Sequence, residues 1–338
     1  MLKGSGRKKQ MKNYPKFTIF IPVKNGRNYI SSCVESILAQ SYKHFDLVIL
    51  GGFSTDGTCA WLRNLEARDN RIKVIFSDKE LGIEGNWGRI LAVPKNEFMT
   101  IVGYDDLLDP DFLEVISEAI GAEPGSDLYL THFRLIDSAG NLIRNCTPIP
   151  KYETAADFLA SRMVGIRDSF GTGYVMRSAM YDKMGGIPSF PDLLYADDAL
   201  WMSFMRNKLK ITSCRICFSY RSHSGSVSGS PNLKAAFNGL KQYFEFLSEL
   251  GKENSEIAYV VKVYGPAHAI TICQMYYNFL YLNKASLGSQ MKQQILLIRE
   301  FLSEVANGAI LDETCSHLLG RIKLRVRRRI GSFIRALM

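Results

Sequence analysis

The chain has 338 residues, of which 46% are hydrophobic and 22% are charged. This composition is that of a globular protein, and the length allows one large domain or one domain with a smaller attachment. The formal net charge is +9, but residues 1–16 and 320–338 carry thirteen basic residues and no acid, so the middle of the chain has a net charge of −4. A nucleic-acid-binding core would itself be basic, so no nucleic-acid partner is expected. Basic ends favour contact with an anionic surface such as a membrane leaflet.

The seven cysteines are scattered, and Cys214 and Cys217 form a lone CxxC without the second pair that a zinc site needs. Reduced thiols in the cytosol are therefore expected. No apolar run follows the basic N-terminal residues, so no signal peptide is expected. No apolar run reaches the length of a membrane-spanning helix, and the predicted location is cytoplasmic.

Strand and helix signals alternate over the first hundred residues. Repeats of this kind predict a parallel sheet with right-handed crossovers. Apolar runs predict strands, and apolar residues at helical spacing predict helices between them. The predicted strands are 16–23, 45–50, 72–76 and 98–102, and the predicted helices are 26–40, 58–65 and 82–93.

After residue 106 the pattern changes. Residues 127–136 and 142–144 flank a DSAGN turn, which predicts a hairpin in an antiparallel or mixed part of the sheet. The chain is predicted to be helical from Leu233 onward, so a domain boundary is placed near residue 230. Between these regions the predicted helices are 154–163, 177–184 and 199–205, and the predicted strand is 209–220.

Asp105 and Asp106 stand together where the strand 98–102 ends. Two buried carboxylates repel each other unless a positive group lies between them, and a divalent cation would serve. Ligands also bind at the carboxyl ends of strands in open α/β sheets. The pair therefore indicates a metal that holds an anionic ligand. The alternative is that both acids cap the helix that follows, since Asp favours such positions.

Several short motifs occur in order along residues 17–228, and together they resemble a family 2 glycosyltransferase with the GT-A fold. The resemblance implies a mixed, mainly parallel sheet flanked by helices over residues 16–230. A helical C-terminal region is then expected over 231–338, and a basic tail over 1–15. The motifs are Pro22 with Asn25, SILAQSY at 36–42, STDGT at 54–58, Gly85-Asn86, the Asp pair with LLDPDFL, Ala196-Asp197-Asp198, and RSHSGSVS at 221–228.

The resemblance implies an inverting hexosyltransferase that moves a sugar from a nucleotide-diphosphate sugar donor to a hydroxyl of a glycan or lipid-linked acceptor. Such enzymes use Mn²⁺ or Mg²⁺ as a Lewis acid at the diphosphate. Asp105 corresponds to the metal-binding Asp of the family's DxD motif. Asp106 and His223 are the other candidate metal ligands. The implied donor-binding residues are Pro22, Lys24, Asn25, Ser54, Asp56, Asn86, Tyr104 and Asp105.

The sequence departs from the family pattern at donor-contacting positions. Gly51 and Gly52 stand where an Asp usually contacts the base, and Gly103 replaces the first acid of the DxD motif. Lys24 stands where a tyrosine is common, and it is either a diphosphate contact or a solvated surface lysine. The donor nucleotide is therefore left open.

The resemblance also assigns residues on the acceptor side. Asp197 and Asp198 correspond to the family's Glu-Asp pair, so Asp198 is expected to act as the base and Asp197 as a supporting contact. The alternative is that Asp198 caps a helix from Ala199. The loop Gly171, Thr172 and Gly173 lies where the family places an acceptor-side loop.

The C-terminal stretch 320–338 has apolar residues on one helical face and arginines mostly on the other. A basic amphipathic helix predicts a peripheral membrane anchor, and the alternative is a terminal helix packed on its own domain. An acceptor linked to lipid would place the protein at the cytoplasmic face of the inner membrane, in surface-polysaccharide biosynthesis.

Two other functions remain as alternatives. Loss of the carboxylates at positions 51 and 103 is compatible with a non-catalytic relative that binds a glycan or a partner. A sugar-nucleotide nucleotidyltransferase shares a related sheet, but PVKNGRN after the first strand lacks the Gly-rich loop with Arg and Lys that this class uses.

Overall fold

The computed structural model describes residues 14–223, 232–282 and 290–306. Within these ranges ten strands form one mixed sheet. The strands are β1 (Phe17–Val23), β2 (Phe45–Gly51), β3 (Ile72–Phe76), β4 (Phe98–Ile101), β5 (Leu107–Leu108), β6 (Leu128–Ile136), β7 (Leu142–Asn145), β8 (Tyr152–Glu153), β9 (Val175–Arg177) and β10 (Lys210–Arg221).

The strand order is β3-β2-β1-β4-β9-β6-β10-β5, with β7 beside β6 and β8 beside β10. The first four strands in this order are parallel. β9 is antiparallel to both β4 and β6, and β10 is parallel to β6. The carboxyl ends of β1, β2, β4 and β10 therefore lie at one edge of the sheet. The predicted mixed sheet is confirmed, as is the antiparallel pairing of β6 with β7.

Two of the parallel strands, β1 and β4, are buried along their whole length, whereas β3 at the edge of the sheet is partly exposed. All seven residues of β1 and all four of β4 are buried. Strands covered on both faces are expected to be continuously apolar, because neither face meets water. This is why the segments FTIFIPV and FMTI carry apolar side chains at nearly every position, without alternation.

Most predicted helices are present, with shifted ends. The predicted helix 26–40 begins only at Ile30, because residues 26–29 form a turn closed by the Tyr29 N–H and the Gly26 carbonyl. The predicted helix 82–93 divides into an α-helix and the 3₁₀ turn Arg89–Ala92. The helices are α1 (Ile30–Leu38), α2 (Thr58–Arg63), α3 (Ile83–Gly88), α4 (Phe112–Ala122), α5 (Ala155–Met163), α6 (Ser178–Lys183), α7 (Ala196–Phe204), α8 (Leu233–Glu253), α9 (Ser255–Leu282) and α10 (Gln290–Ala306).

The helical region packs against the end of the sheet domain. α8 contacts α7, α9 contacts α5, and α10 contacts both α8 and α9. The Asn232 side chain caps α8 by accepting from the backbone N–H groups of Lys234 and Ala235. In the described part of the chain, no helix is long and apolar enough to cross a membrane.

Some predictions fall outside the described residues. These are the basic tail, the amphipathic helix at 320–338, and the domain boundary near residue 230. They stay predictions.

The interpretation of Asp105, Asp106 and Asp198 as helix caps is wrong. β5 follows Asp106, and α4 begins at Phe112 after Asp111, so neither Asp105 nor Asp106 can cap it. α7 begins at Ala196, which places Asp198 inside the first helical turn rather than before it.

Candidate active site

The loops after β1 and β2 are joined by polar side chains at the carboxyl edge of the sheet. Asn25, in the left-handed region with a φ of 54°, bonds the Ser54 hydroxyl through its N–H and the Thr55 N–H through its side chain. The Asp56 carboxylate accepts from the N–H groups of Arg27 and Thr58, and hydrogen bonds lower its pKa. The predicted donor-site residues Asn25, Ser54 and Asp56 therefore bond the two loops to each other.

Asn86 belongs to the same edge. Its side chain donates to the Leu50 carbonyl and accepts from Arg89, and Arg89 also donates to the Gly51 carbonyl. Lys24 pairs with Glu80 at 2.7 Å, and more than a third of its side chain is exposed. Of the two interpretations of Lys24, its position fits the surface lysine.

The loop after β4 carries the first Asp pair. A Cβ at Gly103 would lie 2.7 Å from carboxylate oxygens of both Asp105 and Asp106. Glycine is therefore required by the close approach of these two acids to the backbone. The first acid of the motif, which this chain lacks, would not fit at position 103 in this conformation of the loop.

Asp106 is 1% exposed, and both of its oxygens are engaged. Oδ1 accepts from the Arg221 N–H at 3.0 Å and Oδ2 accepts from the Thr172 hydroxyl at 2.7 Å. Burial, and then the charge of Asp105, raise the pKa of Asp106. Asp106 thus joins the loop to β10 and to the segment before β9.

Asp105 faces His223, and the Asp105 Oδ2 lies 2.7 Å from the His223 Nε2. Arg221 holds the pair in place, because its Nε donates to the Asp105 carbonyl and its Nη1 donates to the Asp137 carbonyl. Within the described residues, no group of three or more His, Cys, Asp or Glu side chains is arranged to hold a metal ion. A cation at this pair would therefore complete its coordination with donor and water oxygens.

A cavity of about 380 Å³ opens beside this loop. Pro22, Tyr104 and the first Asp pair lie on one side of it, and Asp197 and Asp198 line it from the start of α7. The structure thus brings together acids that are ninety residues apart in sequence. Other lining residues are Trp87, Arg162, Gly171, Thr172, Tyr195 and Tyr276.

The second Asp pair is asymmetric. The Asp198 carboxylate accepts from Arg162 at 2.9 Å from Nε and 2.8 Å from Nη2, and its side chain is 4% exposed. Asp197 is half-buried and forms no ion pair with the described cations, and its Oδ1 accepts from the Asp198 N–H at 2.9 Å. Burial, and then the charge of Asp198, raise the pKa of Asp197.

Residues 18–180 match the family model "Glycosyl transferase family 2". The chain carries a family 2 glycosyltransferase domain. The GT-A fold is supported by the crystal structure of a S. aureus TarS fragment in complex with UDP-GlcNAc, which superposes with a TM-score of 0.66 at 16% identity. That superposition covers 86% of this chain and 81% of the TarS chain.

Two curated relatives of the family 2 glycosyltransferase domain show how far the similarity extends. GlyG of Streptococcus pneumoniae is 24% identical over 37% of this chain, and the match covers only 41% of the length of GlyG. TuaG of Bacillus subtilis, a glycosyltransferase assigned to teichuronic acid biosynthesis, is 25% identical over 64% of this chain and 82% of TuaG.

The predicted acceptor-side loop of the glycosyltransferase domain is tightly packed. A Cβ at Gly171 would lie 3.2 Å from the Trp87 ring and 3.7 Å from the Asp197 Cβ. Gly173 has a φ of 80°, and a Cβ there would lie 2.6 Å from the Phe218 ring. The loop therefore lies between the donor-side helix α3 and the second Asp pair.

Gly173→Ala is expected to destabilise the domain more than Gly165→Ala. Both glycines have positive φ, so each alanine should cost about 1–2 kcal/mol of backbone strain. A Cβ at Gly165 has open space, whereas one at Gly173 meets Phe218, which should add about 1–3 kcal/mol. Urea unfolding of both variants measures the difference. Equal losses of unfolding free energy would mean that the contact with Phe218 is not close.

Three residues of the site were missed by the sequence analysis. Arg162 is an ordinary helical arginine in sequence, and only the packing of α5 beside α7 gives it Asp198 as a partner. Tyr276 lies on α9, far along the chain from the motifs of residues 17–228, and no pattern in the sequence connects it to them. Arg221 lay inside the RSHSGSVS motif, which was the one signal that could have drawn attention to it.

Proposed function

We propose that this chain transfers a sugar from a nucleoside diphosphate sugar to a saccharide or lipid-linked hydroxyl, with inversion, in bacterial surface-polysaccharide biosynthesis. The observation that carries the proposal is the single cavity that joins the Asp105 loop to the Asp197–Asp198 pair within a family 2 domain. The TarS complex with UDP-GlcNAc supports a nucleotide-sugar donor. TuaG supports the polysaccharide pathway.

The Asp105–His223 pair fits Mn²⁺ or Mg²⁺. The Asp105 carboxylate lines the cavity and the His223 imidazole nitrogen lies against it, so an ion held there could be shared with a diphosphate in the cavity. When bound, the cation would stabilise the negative charge that develops on the departing nucleoside diphosphate. Two contacts hold the loop that carries Asp105. The Arg221 side chain donates to the Asp105 carbonyl, and the Asp106 carboxylate accepts from the Arg221 N–H.

The second Asp pair supplies the base. The resemblance assigns this role to Asp198, but its carboxylate is bound by Arg162. Arg162 donates to both oxygens of this carboxylate, which leaves them less free to accept the proton of an acceptor hydroxyl. Asp197 has the raised pKa that suits a base near neutral pH. We therefore assign the proton transfer from the acceptor hydroxyl to Asp197, and assign to Asp198 and Arg162 the task of holding the start of α7.

The pH dependence of turnover should follow from this assignment. A base acts in its deprotonated form, and burial raises the pKa of Asp197 above that of an ordinary Asp. Turnover is therefore expected to be full above this raised pKa and to be lost as the pH falls through it. A profile of kcat against pH at saturating donor measures the acidic limb. An acidic limb whose midpoint lies at the ordinary pKa of a solvent-exposed Asp side chain would contradict the assignment of Asp197 as the base.

Metal-dependent nucleotide binding tests the proposal against a non-catalytic function. Titration calorimetry of UDP, GDP, CDP and dTDP, each with and without Mn²⁺, should show at least one nucleotide that binds only with the metal. Lack of metal-dependent binding by all four would favour the non-catalytic alternative.

Membrane contact through residues 320–338 is a separate part of the proposal. The full chain should co-sediment with phosphatidylglycerol vesicles but not with phosphatidylcholine vesicles, because the seven basic residues of this stretch attract anionic headgroups. Truncation after residue 306 should strongly weaken co-sedimentation, leaving only the attraction of the basic residues of 1–16. Equal binding by the truncated chain would remove this stretch as the anchor.

A further inference from the structure

The segment that leads into α7 has an unusual backbone. Asp192, Leu193 and Tyr195 have φ values of 52°, 55° and 66°. L-residues rarely adopt this region, and a bulky residue such as Leu is disfavoured there. Such a conformation persists only where surrounding contacts determine it, and these positions are common at functional sites. We call residues 191–195 the entry segment.

Contacts from both sides hold the entry segment. On the donor side, the Asp192 N–H donates to the Glu84 carboxylate of α3 at 2.7 Å. On the other side, α8 approaches so closely that a Cβ at Gly239 would lie 2.7 Å from the Leu194 carbonyl oxygen. The Tyr195 ring stacks on the Tyr243 ring of α8, with centroids 6.1 Å apart, and Tyr195 lines the same cavity as Tyr276 of α9.

The entry segment and α9 line the same cavity as Asp197. Leu193, Leu194, Met275 and Tyr276 all face it. Met275 is 56% exposed although it is apolar and lies beside the site. Because the base must contact the acceptor hydroxyl, side chains on the side of Asp197 that is away from the Asp105 loop are placed to flank the acceptor.

We propose that the entry segment and Met275 form the acceptor subsite, and that α8 and α9 hold this segment in its left-handed conformation. The subsite takes a glycoside whose apolar part packs on Leu193 and Met275, while its free hydroxyl meets Asp197. The helical region is thereby a determinant of acceptor specificity. This inference rests on the proposed glycosyl transfer.

Kinetics with octyl glycosides of glucose, galactose and N-acetylglucosamine as acceptors test the subsite. Met275→Ala should raise the KM for the acceptor by about tenfold, as loss of one apolar contact predicts. The KM for the donor should change far less than the KM for the acceptor. Tyr259→Ala is the matched control, since Tyr259 is an exposed residue of α9 that does not line the cavity.

The kinetic outcomes separate the two proposals. An unchanged acceptor KM in Met275→Ala, or an equal rise in Tyr259→Ala, would overturn the subsite. Nucleoside diphosphate release by the wild-type chain without transfer to any octyl glycoside would also overturn it. A wild-type chain that turns over no donor would contradict the proposed function instead.

Stability measurements test the strained conformation without any substrate. Leu193→Gly and Leu193→Ala remove nearly the same side chain, but only glycine adopts a positive φ freely. Leu193→Gly should therefore melt at a higher temperature than Leu193→Ala, the reverse of the usual order in regular structure. Leu193→Ala melting at the same or a higher temperature would show that the segment is not held in this conformation.

Discussion

Asp197→Asn is expected to reduce the kcat for sugar transfer by about 10²- to 10⁴-fold, the usual contribution of a general base. The amide keeps the size of the side chain and its oxygen can still accept from the Asp198 N–H, so the start of α7 should stay folded. The donor KM should stay near that of the wild type, because Asp197 does not contact the donor in this account. Steady-state release of nucleoside diphosphate in the presence of acceptor measures both constants.

Asp198→Asn is the matched variant, and it separates the two acids. Removing the charge of Asp198 takes away a cause of the raised pKa of Asp197. Part of the activity should remain, and the acidic limb of the kcat profile should move to lower pH. If Asp198 is the base, as the family resemblance implies, Asp198→Asn abolishes transfer and Asp197→Asn retains it. That outcome would restore the original assignment.

Asp105→Asn is the second large effect. The variant weakens the carboxylate–imidazole pair with His223 and reduces negative charge where the cation would bind. Loss of stabilisation of the leaving group should lower kcat by about 10²- to 10³-fold, in line with removal of a single electrostatic contact in other enzymes. Calorimetry should also show weaker binding of Mn²⁺ in the presence of the nucleotide.

Asp78→Asn is the control for Asp105→Asn, since Asp78 is exposed and does not line the cavity. It should leave both kcat and metal binding unchanged. Asp105→Asn with wild-type metal affinity and wild-type kcat would remove Asp105 from the site.

The parallel half of the fold could be predicted from sequence because its strands β1 and β4 are buried on both faces. β1 and β4 are short apolar runs that end at Gly or Pro signals, and nothing in their surroundings opposes the local preference. The motif at Asp105 could be predicted for the same reason, since it follows one of these strands directly. In these segments the structure favoured by the local sequence is also the structure that the surrounding fold requires.

Other features depend on contacts that no local pattern records. The division of roles between Asp197 and Asp198 follows from Arg162, whose helix lies more than thirty residues earlier. The entry segment contains no glycine that would have predicted its positive φ values. Its conformation depends instead on packing against α3, α8 and α9. The close contact at Gly239 could not be predicted either. A glycine inside a helix is locally unfavourable, and its reason here is the Leu194 carbonyl, which leaves no room for a Cβ.

Gly51 and Gly103 stand where the family pattern has acids, and the structure gives a packing reason for both glycines. A Cβ at Gly51 would lie 3.0 Å from the Phe76 ring, and one at Gly103 would meet both carboxylates of the Asp105 loop. These glycines are therefore part of how the edge of the sheet is built. They give no support of their own to the non-catalytic alternative.

The rate of nucleoside diphosphate release from a panel of UDP-, GDP-, CDP- and dTDP-sugars tests whether this chain is a metal-dependent glycosyltransferase. The assay compares the wild-type chain with Asp105→Asn and Asp197→Asn, each with Mn²⁺ and with a chelator. We expect the wild type to turn over at least one donor only with the metal, and both variants to lose this turnover while remaining folded. A wild type that turns over no donor would contradict the proposed function, and variants that match its rate would contradict the roles of Asp105 and Asp197.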